Sequence, residues 1–460
     1  MSKENKDPVE NNNNFNASFS YLLFFLSVEM LIQSIKPKTS MKLLLKKYRA
    51  NYSTKLSFKD WNIVHKWVLE TLRWKITIDY LIEEFLGLSI TKNLLKITTL
   101  ELASYLILFE KFPITNVITW TKEFLRNNNI FFKKAYVSYF FQLKNLDLNR
   151  YKPQGGKITQ LSFKYSLPKW FVKKLLSQLG LEMAKKIFIS YSKTPENRYV
   201  FLNPLIQPIE KTVQELFKQD ILLEQDSILE NTFLIKKNSS KLVFTDAYNN
   251  GAIVFQDWGS IAIGQALPIG IGWTVLDACA APGNKTLQLV TKRKASIIIA
   301  GEFNFSRTKL LKDRISNFKL GMPVITYDAR MPSFNYKFDS VLADVPCTGT
   351  GTFSSHPELK WRITPELVNA NSKLQLEILK GITRFIKNNG YVLYSTCSVL
   401  KEENEDNVIS FLEENPSWKL VEDFEVDIGV PSSFLRETRR IFPNNKSNEA
   451  FFIALLQKKK

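Results

Sequence analysis

From Asp246 to the C-terminus the chain alternates short strand-like runs with longer helix-like ones, and this rhythm restricts the fold more than any other feature. The strand-like runs read "TVLDA", "SIIIAGE", "PVITYD", "FDSVLADV", "GYVLYST" and "FFIALLQ". Helical patterns fall between them over 286–292, 306–319, 365–387 and 403–414. Strands joined through helices need crossover connections, so they predict a parallel sheet covered by helices on both faces. Ligands of such sheets bind beyond the carboxyl ends of the strands.

Those strand ends carry the reactive side chains. Asp277, Glu302, Asp328 and Asp344 close four of the runs, and the only three cysteines, Cys279, Cys347 and Cys397, follow runs as well. In "VLDACAAPGNKTLQLV", small residues at Ala278, Ala280, Ala281 and Gly283 let the backbone approach a ligand. The turn delivers it to a helix N-terminus, which favours a carboxylate or other anion. Neither a Walker spacing nor GxGxxG is present, so this is not a phosphate loop. Glu302, about 23 residues further on, suits a ribose diol, and Asp328 stands where an adenine edge would lie. Each acid alone reads as a cap or turn residue; three at consecutive strand ends read as a nucleoside pocket.

An odd count of three cysteines fits a reducing cytosol rather than a disulfide framework. With only His65 and His356 and no Cys-x-x-Cys, a metal site is not expected. Cys347 and Cys397 then read either as buried thiols or as reagents helped by Asp344. Methylation of cytosine at C-5 would use all of these groups together. A thiolate adds at C-6 to make C-5 nucleophilic, a carboxyl near N3 stabilises the developing charge, and a second thiol assists release.

The front of the chain differs. Residues 1–17 are polar and Asn-rich and read as a disordered tail without the features of a signal peptide. Residues 18–150 read as an all-α bundle, with Trp61, Val64, Val68 and Leu72 on one apolar face. Thr98-Thr-Leu-Glu101 has capping-box spacing, predicting a helix start there and a helix running to Phe109 before Pro113. The apolar run "FSYLLFFLSVEMLIQSI" is interrupted by Ser27 and Glu29 and predicts a buried helix, not a membrane span. "YKPQGGK" reads as a linker opening a small mixed α/β segment over 151–245, with a helix near 168–180. Residues 1–245 hold 37 Lys and Arg against 21 Asp and Glu, a net +16 of the total +19. That imbalance suits a module gripping a polyanion as well as a solvated lysine-rich surface.

The motifs "DACAAPGNKT", "DVPCTGTGTFSSHPELKWR" and "YSTCSVLKEENEDNV", with "VFQDWGS" at 254–260, resemble those of the Sun/Fmu-type RNA (cytosine-5) methyltransferases. The likeness is greatest to the bacterial ribosomal small-subunit branch, and the helical front more weakly resembles the NusB-like RNA-binding domain fused to those enzymes. The resemblance implies a Rossmann-like methyltransferase domain over 246–460, using S-adenosyl-L-methionine on RNA. It implies that Cys279, Ala280, Ala281, Pro282, Gly283, Asn284, Lys285, Glu302, Asp328 and Asp344 surround the cofactor. It also implies that Cys397 is the nucleophile and that Cys347 promotes release of the methylated RNA. The expected protein is a cytoplasmic monomer acting on ribosomal RNA, with transfer RNA, or a non-catalytic RNA-binding role on the same fold, as alternatives.

The sequence departs from the family pattern at several points. Asn284 occupies a usual glycine position, which a left-handed backbone would accommodate. Glu302 replaces an Asp, "NEAFF" stands where Asp-Gly-Phe-Phe is usual, and "YVFLN" lacks the Arg of Arg-x-Asn. His356 suits a general base, a loop-ordering residue or an RNA contact. "KEENEDN" (401–407) reads as a solvated helix start.

Overall fold

The computed structural model describes residues 17–36, 41–52, 55–91, 93–292, 294–426 and 428–460, so the predicted tail lies, apart from Ala17, outside the described residues. The chain divides into two compact units, Met1–Lys169 and Trp170–Lys460.

The first unit is helical: α1 (Ala17–Ser34), α2 (Met41–Asn51), α3 (Phe58–Leu86), α4 (Leu94–Leu108), α5 (Ile114–Asn127), α6 (Lys134–Asn145) and α7 (Lys157–Tyr165). Helix α4 is buried at every position from Ile97 to Leu108 and packs against α1, α3, α5 and α6, as its unbroken apolarity predicts. Trp61, Val64, Val68 and Leu72 are all buried on α3, and α1 carries the apolar run inward. The predicted cap at Thr98 is not a cap. Asn93 opens α4 with its side chain, and Glu101 lies inside the helix, where it pairs with buried Lys75, itself 2.8 Å from Asp79. A hydroxyl three residues before a glutamate has the same spacing within a helix as at its start, and the buried ammonium decided the matter. Helix α7 belongs to this unit: Thr77 of α3 donates to Phe163 O at 2.6 Å, and Ile76 N donates to the Ser166 hydroxyl.

The second unit begins along α8 (Lys169–Tyr191), which is broken at Gly180. A small antiparallel sheet follows, in the order β2-β3-β1-β4, from β1 (Tyr199–Leu202), β2 (Leu222–Gln225), β3 (Thr232–Lys237) and β4 (Ile253–Phe255). Helices α9 (Ile209–Lys218), α10 (Asp246–Asn249) and α11 (Trp258–Ala266) connect its strands and lead onward.

The large sheet is built on the parallel strands β5 (Thr274–Asp277), β6 (Ile297–Glu302), β7 (Val324–Thr326), β8 (Phe338–Asp344) and β9 (Ile386–Thr396). Helices α12 (Asn284–Thr291), α13 (Phe305–Asn317) and α14 (Pro365–Thr383) cross between them, and α15 (Glu405–Glu414) leads to the edge. Antiparallel strands β10 (Trp418–Val421), β11 (Val430–Pro431), β12 (Arg439–Ile441) and β13 (Phe451–Lys458) complete it in the order β11-β12-β13-β9-β8-β5-β6-β7, with β10 also on β13. Alternate residues feed opposite cores: Val275, Leu342 and Leu393 face one, Leu276, Val341, Val392 and Tyr394 the other. Both faces are therefore apolar, which is why these strands read as continuous hydrophobic runs.

From β5 the chain winds outward through β6 and β7, then returns to place β8 on the other side of β5. The strand order reverses between β5 and β8, and the crevice above that point is where such sheets bind ligands.

Candidate active site

Strand β5 ends at Asp277, whose Oδ2 accepts from the Thr286 hydroxyl at 2.6 Å, while Oδ1 is buried without a partner. Burial above all, aided by the charge of Asp344, raises the Asp277 carboxyl to about 7. The turn that follows ends at Gly283, with φ of 102°, a left-handed conformation that suits glycine. Asn284 begins α12 in right-handed geometry, so the left-handed backbone expected at Asn284 belongs to its neighbour. The Oδ1 atom of Asn284 is also buried and unpartnered.

A cavity of about 270 Å³ lies over the ends of β5, β6 and β7, lined by Ala278, Cys279, Glu302, Phe303, Asp328 and Ile378 among others. Glu302 is buried, and its Oε1 accepts from Asn304 N at 3.0 Å. Asp328 is clasped by Arg330, whose Nη2 lies 2.6 Å from Oδ2, and this hydrogen bond holds the Asp328 carboxyl below its ordinary value. Burial, followed by the charges of Asp277, Asp344 and Glu302, pushes the Cys279 thiol far up. Cys279 is thus a neutral wall of the cavity and not a nucleophile.

The reactive thiols lie over β8 and β9. Cys347 Sγ and Cys397 Sγ are 2.8 Å apart as free thiols, and the Cys397 N–H points at the Cys347 sulfur at 3.3 Å. The hydrogen bond with Cys397, then burial, then the charges of Cys397 and Glu403 raise Cys347 well above an ordinary thiol, which favours its neutral form. The two loops are stitched together. Gly351 N donates to Cys397 O at 2.8 Å, and Thr350 and Ser398 share a hydroxyl bond of 2.9 Å. A Cβ on Gly351 would stand 2.1 Å from Ala450 O and 2.7 Å from Cys397 O, so only glycine permits this approach.

Beside the thiols, Lys285 Nζ lies 2.8 Å from Asp344 Oδ2, and the Ser395 hydroxyl donates to Asp344 Oδ1 at 2.9 Å. Burial opposes the charge on Lys285, but Asp344 outweighs it and raises the ammonium's pKa. Ser395 stands opposite Asp344 in the β8–β9 register, two residues before Cys397, which follows the end of the strand.

Of the residues singled out from the sequence, Cys279, Glu302 and Asp328 line the cavity, while Lys285 and Asp344 pair beside the two thiols. Ala280, Ala281, Pro282 and Gly283 shape the turn between these groups. His356 is exposed, 3.5 Å from Glu358, whose carboxylate outweighs desolvation and raises the imidazole. Among the described residues no group of three or more His, Cys, Asp and Glu could hold a metal ion.

Sequence reasoning missed four contributors. Ser395 orients Asp344, and Glu403 and Gln375 hold the Cys347 turn. Glu449 lies among Ser355, His356 and Lys285, and burial followed by the charge of Asp257 raises it to about 7. The unusual "NEAFF" was the available signal for Glu449. The expected solvated start at 401–407 is overturned, because Glu403, Asn404 and Glu405 are fully buried. Arg440 pairs with Glu405 through Nε at 2.7 Å and donates to Val399 O at 2.8 Å, tying the acidic segment to the Cys397 loop.

Residues 267–457 match the family described as 16S rRNA methyltransferase RsmB/F. The probable ribosomal RNA small subunit methyltransferase B of Bacillus subtilis is 26% identical over 94% of this chain and 98% of its own length. The ribosomal RNA small subunit methyltransferase B of Vibrio cholerae is 33% identical over 41% of this chain and 42% of its own. The crystal structure of PH0851 superposes with a TM-score of 0.75 at 27% identity, covering 94% of this chain and 99% of that one. A structure of NSun6 from Pyrococcus horikoshii shares the fold at 20% identity, with a TM-score of 0.58 over 64% of this chain and 98% of that one. Residues 267–457, which carry the paired thiols, the Lys–Asp couple and the cavity at the switch point, are thus the part of the chain that matches the RsmB/F methyltransferase family.

Proposed function

We propose that this chain is an RNA cytosine-5 methyltransferase that uses S-adenosyl-L-methionine and acts on ribosomal RNA. The observation that carries this reading is the pair of thiols 2.8 Å apart at the ends of adjacent strands, beside Lys285 and Asp344.

The cavity residues fit the cofactor. An apolar floor of Ala278, Leu374 and Ile378 suits an adenine ring, and Glu302 and Asp328 offer carboxylate oxygens at two strand ends. The unpartnered oxygens of Asp277 and Asn284 lie at the turn, where an ammonium or hydroxyl could satisfy them. Glu302 would hold the ribose hydroxyls, Asp328 the adenine side, and the 279–283 turn the amino-acid end. When bound, the cofactor supplies an electrophilic methyl group.

The chain's own residues do the remaining work. The target cytosine must be unpaired or flipped out to reach them. Asp344, fixed by Lys285 and Ser395, meets the N3 edge, where its carboxyl passes the proton given up by the Cys397 thiol to N3 as negative charge develops there. Cys397 adds to C-6, which makes C-5 nucleophilic toward the methyl group. After methyl transfer the C-5 proton leaves, the C-5=C-6 bond re-forms and the Cys397–C-6 bond breaks. Cys347, still a thiol at 2.8 Å, stands where it can assist the departing sulfur. The net +16 of residues 1–245 would attract the phosphate backbone and make binding salt-sensitive.

Transfer RNA offers the same chemistry, and ribosomal RNA is favoured by the family matched over 267–457. Incubation with methyl-labelled cofactor and total RNA tests the reading; absence of label in cytosine, with cofactor bound, would sink it. Bisulfite mapping of ribosomal and transfer RNA from a deletion strain then separates the two substrates.

A further inference from the structure

Glu403 is a fully buried carboxylate, and among the described residues its partners are neutral donors rather than a Lys or Arg. Its Oε1 accepts from Thr348 N at 2.8 Å and from Gln375 Nε2 at 2.9 Å, and the Thr348 hydroxyl donates to Oε2. Gln375 Nε2 also donates to Pro346 O at 2.9 Å. The residues on either side of Cys347 are therefore held by one carboxylate and one amide. The amide is itself oriented by Asn407, which donates to Gln375 Oε1 at 2.9 Å, and Tyr394 donates to Glu403 O at 2.6 Å.

An anion buried among neutral donors is costly, and a neutral residue of the same size would fill the space. The arrangement calls for a reason beyond packing. We propose that Glu403 is the positioning residue for Cys347, its carboxylate holding the Pro346–Thr348 turn so that Cys347 lies against Cys397. This rests on the release role assigned to Cys347 above.

The negative charge has a second effect. The charged and titratable groups around Cys347 are Cys397 and Glu403, with the phenol of Tyr394 kept neutral by burial and the Lys285–Asp344 couple further off beside Cys397. Helix α14 contributes Gln375 and α15 contributes Asn407, neither of which ionises. Glu403 thus disfavours the thiolate of Cys347 and keeps its proton available to the departing sulfur.

The test uses full-length Glu403→Gln and Glu403→Ala, with alkylation by iodoacetamide followed across pH and resolved peptide by peptide. Glu403→Gln keeps the shape and removes the charge, so the Cys347 midpoint should move to lower pH. Glu403→Ala frees the turn, so the protein–RNA adduct should persist roughly 10- to 100-fold longer than in wild type. If the Cys347 midpoint and the adduct lifetime both match wild type, the proposal is wrong. An equal change in reactivity at Cys347 and Cys397 also overturns it, since that reports general loosening. If Glu403→Ala fails to fold, the Glu403→Gln profile decides alone. Should Cys347→Ala accumulate no adduct while Glu403→Gln still shifts the midpoint, the release role falls and the positioning role stands.

Discussion

The ammonium of Lys285 sits 2.8 Å from the carboxylate of Asp344, joining the first turn of α12 to the last residue of β8 across the reversal in strand order. Two segments 59 residues apart in sequence are thereby locked at the crevice, beside the thiol pair. The predictions below start from this couple and move outward.

Asp344→Asn should lower kcat/KM by about 100-fold or more, since an amide cannot pass a proton to N3 as negative charge develops on the ring. The stability contribution of the couple has a defined pH sense. Lys285 has a raised folded-state pKa, so its contribution is complete below the ordinary lysine value and is lost as pH rises through the higher folded value. The Tm difference between wild type and Lys285→Met should therefore be constant from pH 7 to about 9 and narrow only in stronger alkali.

The thiols should separate by step. Cys397→Ala abolishes turnover and forms no covalent RNA complex. Cys347→Ala accumulates an RNase-sensitive band of slow mobility on a denaturing gel. Bands from the Cys397 variant alone would reverse the two roles.

Asp277 gives stability a dependence on pH of the opposite sense from a paired carboxylate. Its folded pKa is raised to about 7, so between the ordinary carboxylate range and about 7 the unfolded state ionises first and stability falls as pH rises. Asp277→Asn should therefore raise Tm at pH 7.5, by a gain of about 1–3 kcal/mol that disappears near pH 4. A gain equal at both pH values would show that the carboxyl is ordinary.

Gly351→Ala should cost about 3 kcal/mol or more, because the new methyl would overlap backbone oxygens of Ala450 and Cys397 rather than a movable side chain. Urea unfolding would measure the loss, and activity should fall with it as the Cys397 loop is displaced.

Arg440→Met should cost about 3–5 kcal/mol by leaving Glu405 buried without its cation. Adding Glu405→Leu should recover most of that loss. A double variant no more stable than the single one would mean that the pair does more than neutralise itself.

The α/β unit was readable along the chain because its strands are buried on both faces. Runs such as "SVLADV" keep an apolar character that a half-exposed strand would lose. Acids and cysteines stood out because they interrupt those runs at the ends where ligands bind. Charged residues that point inward were harder to place. Glu101 and Glu403 each sit in a helical context that fits a solvated cap, and only the buried Lys75 in one case and the Thr348–Gln375 pair in the other account for them.

From the sequence alone came strands β5–β9 and β13, the helices between them and the types of group at the strand ends, since these follow from local periodicity and side-chain chemistry. The tertiary structure decided which groups meet. Hydrogen-bond register put Ser395 opposite Asp344, the reversal of strand order brought Lys285 to Asp344, and glycine at 351 let the two cysteine loops close to 2.8 Å between sulfurs. Contacts between residues 50 or more positions apart depend on how strands pair and how closely backbones pack, and no local pattern encodes that geometry.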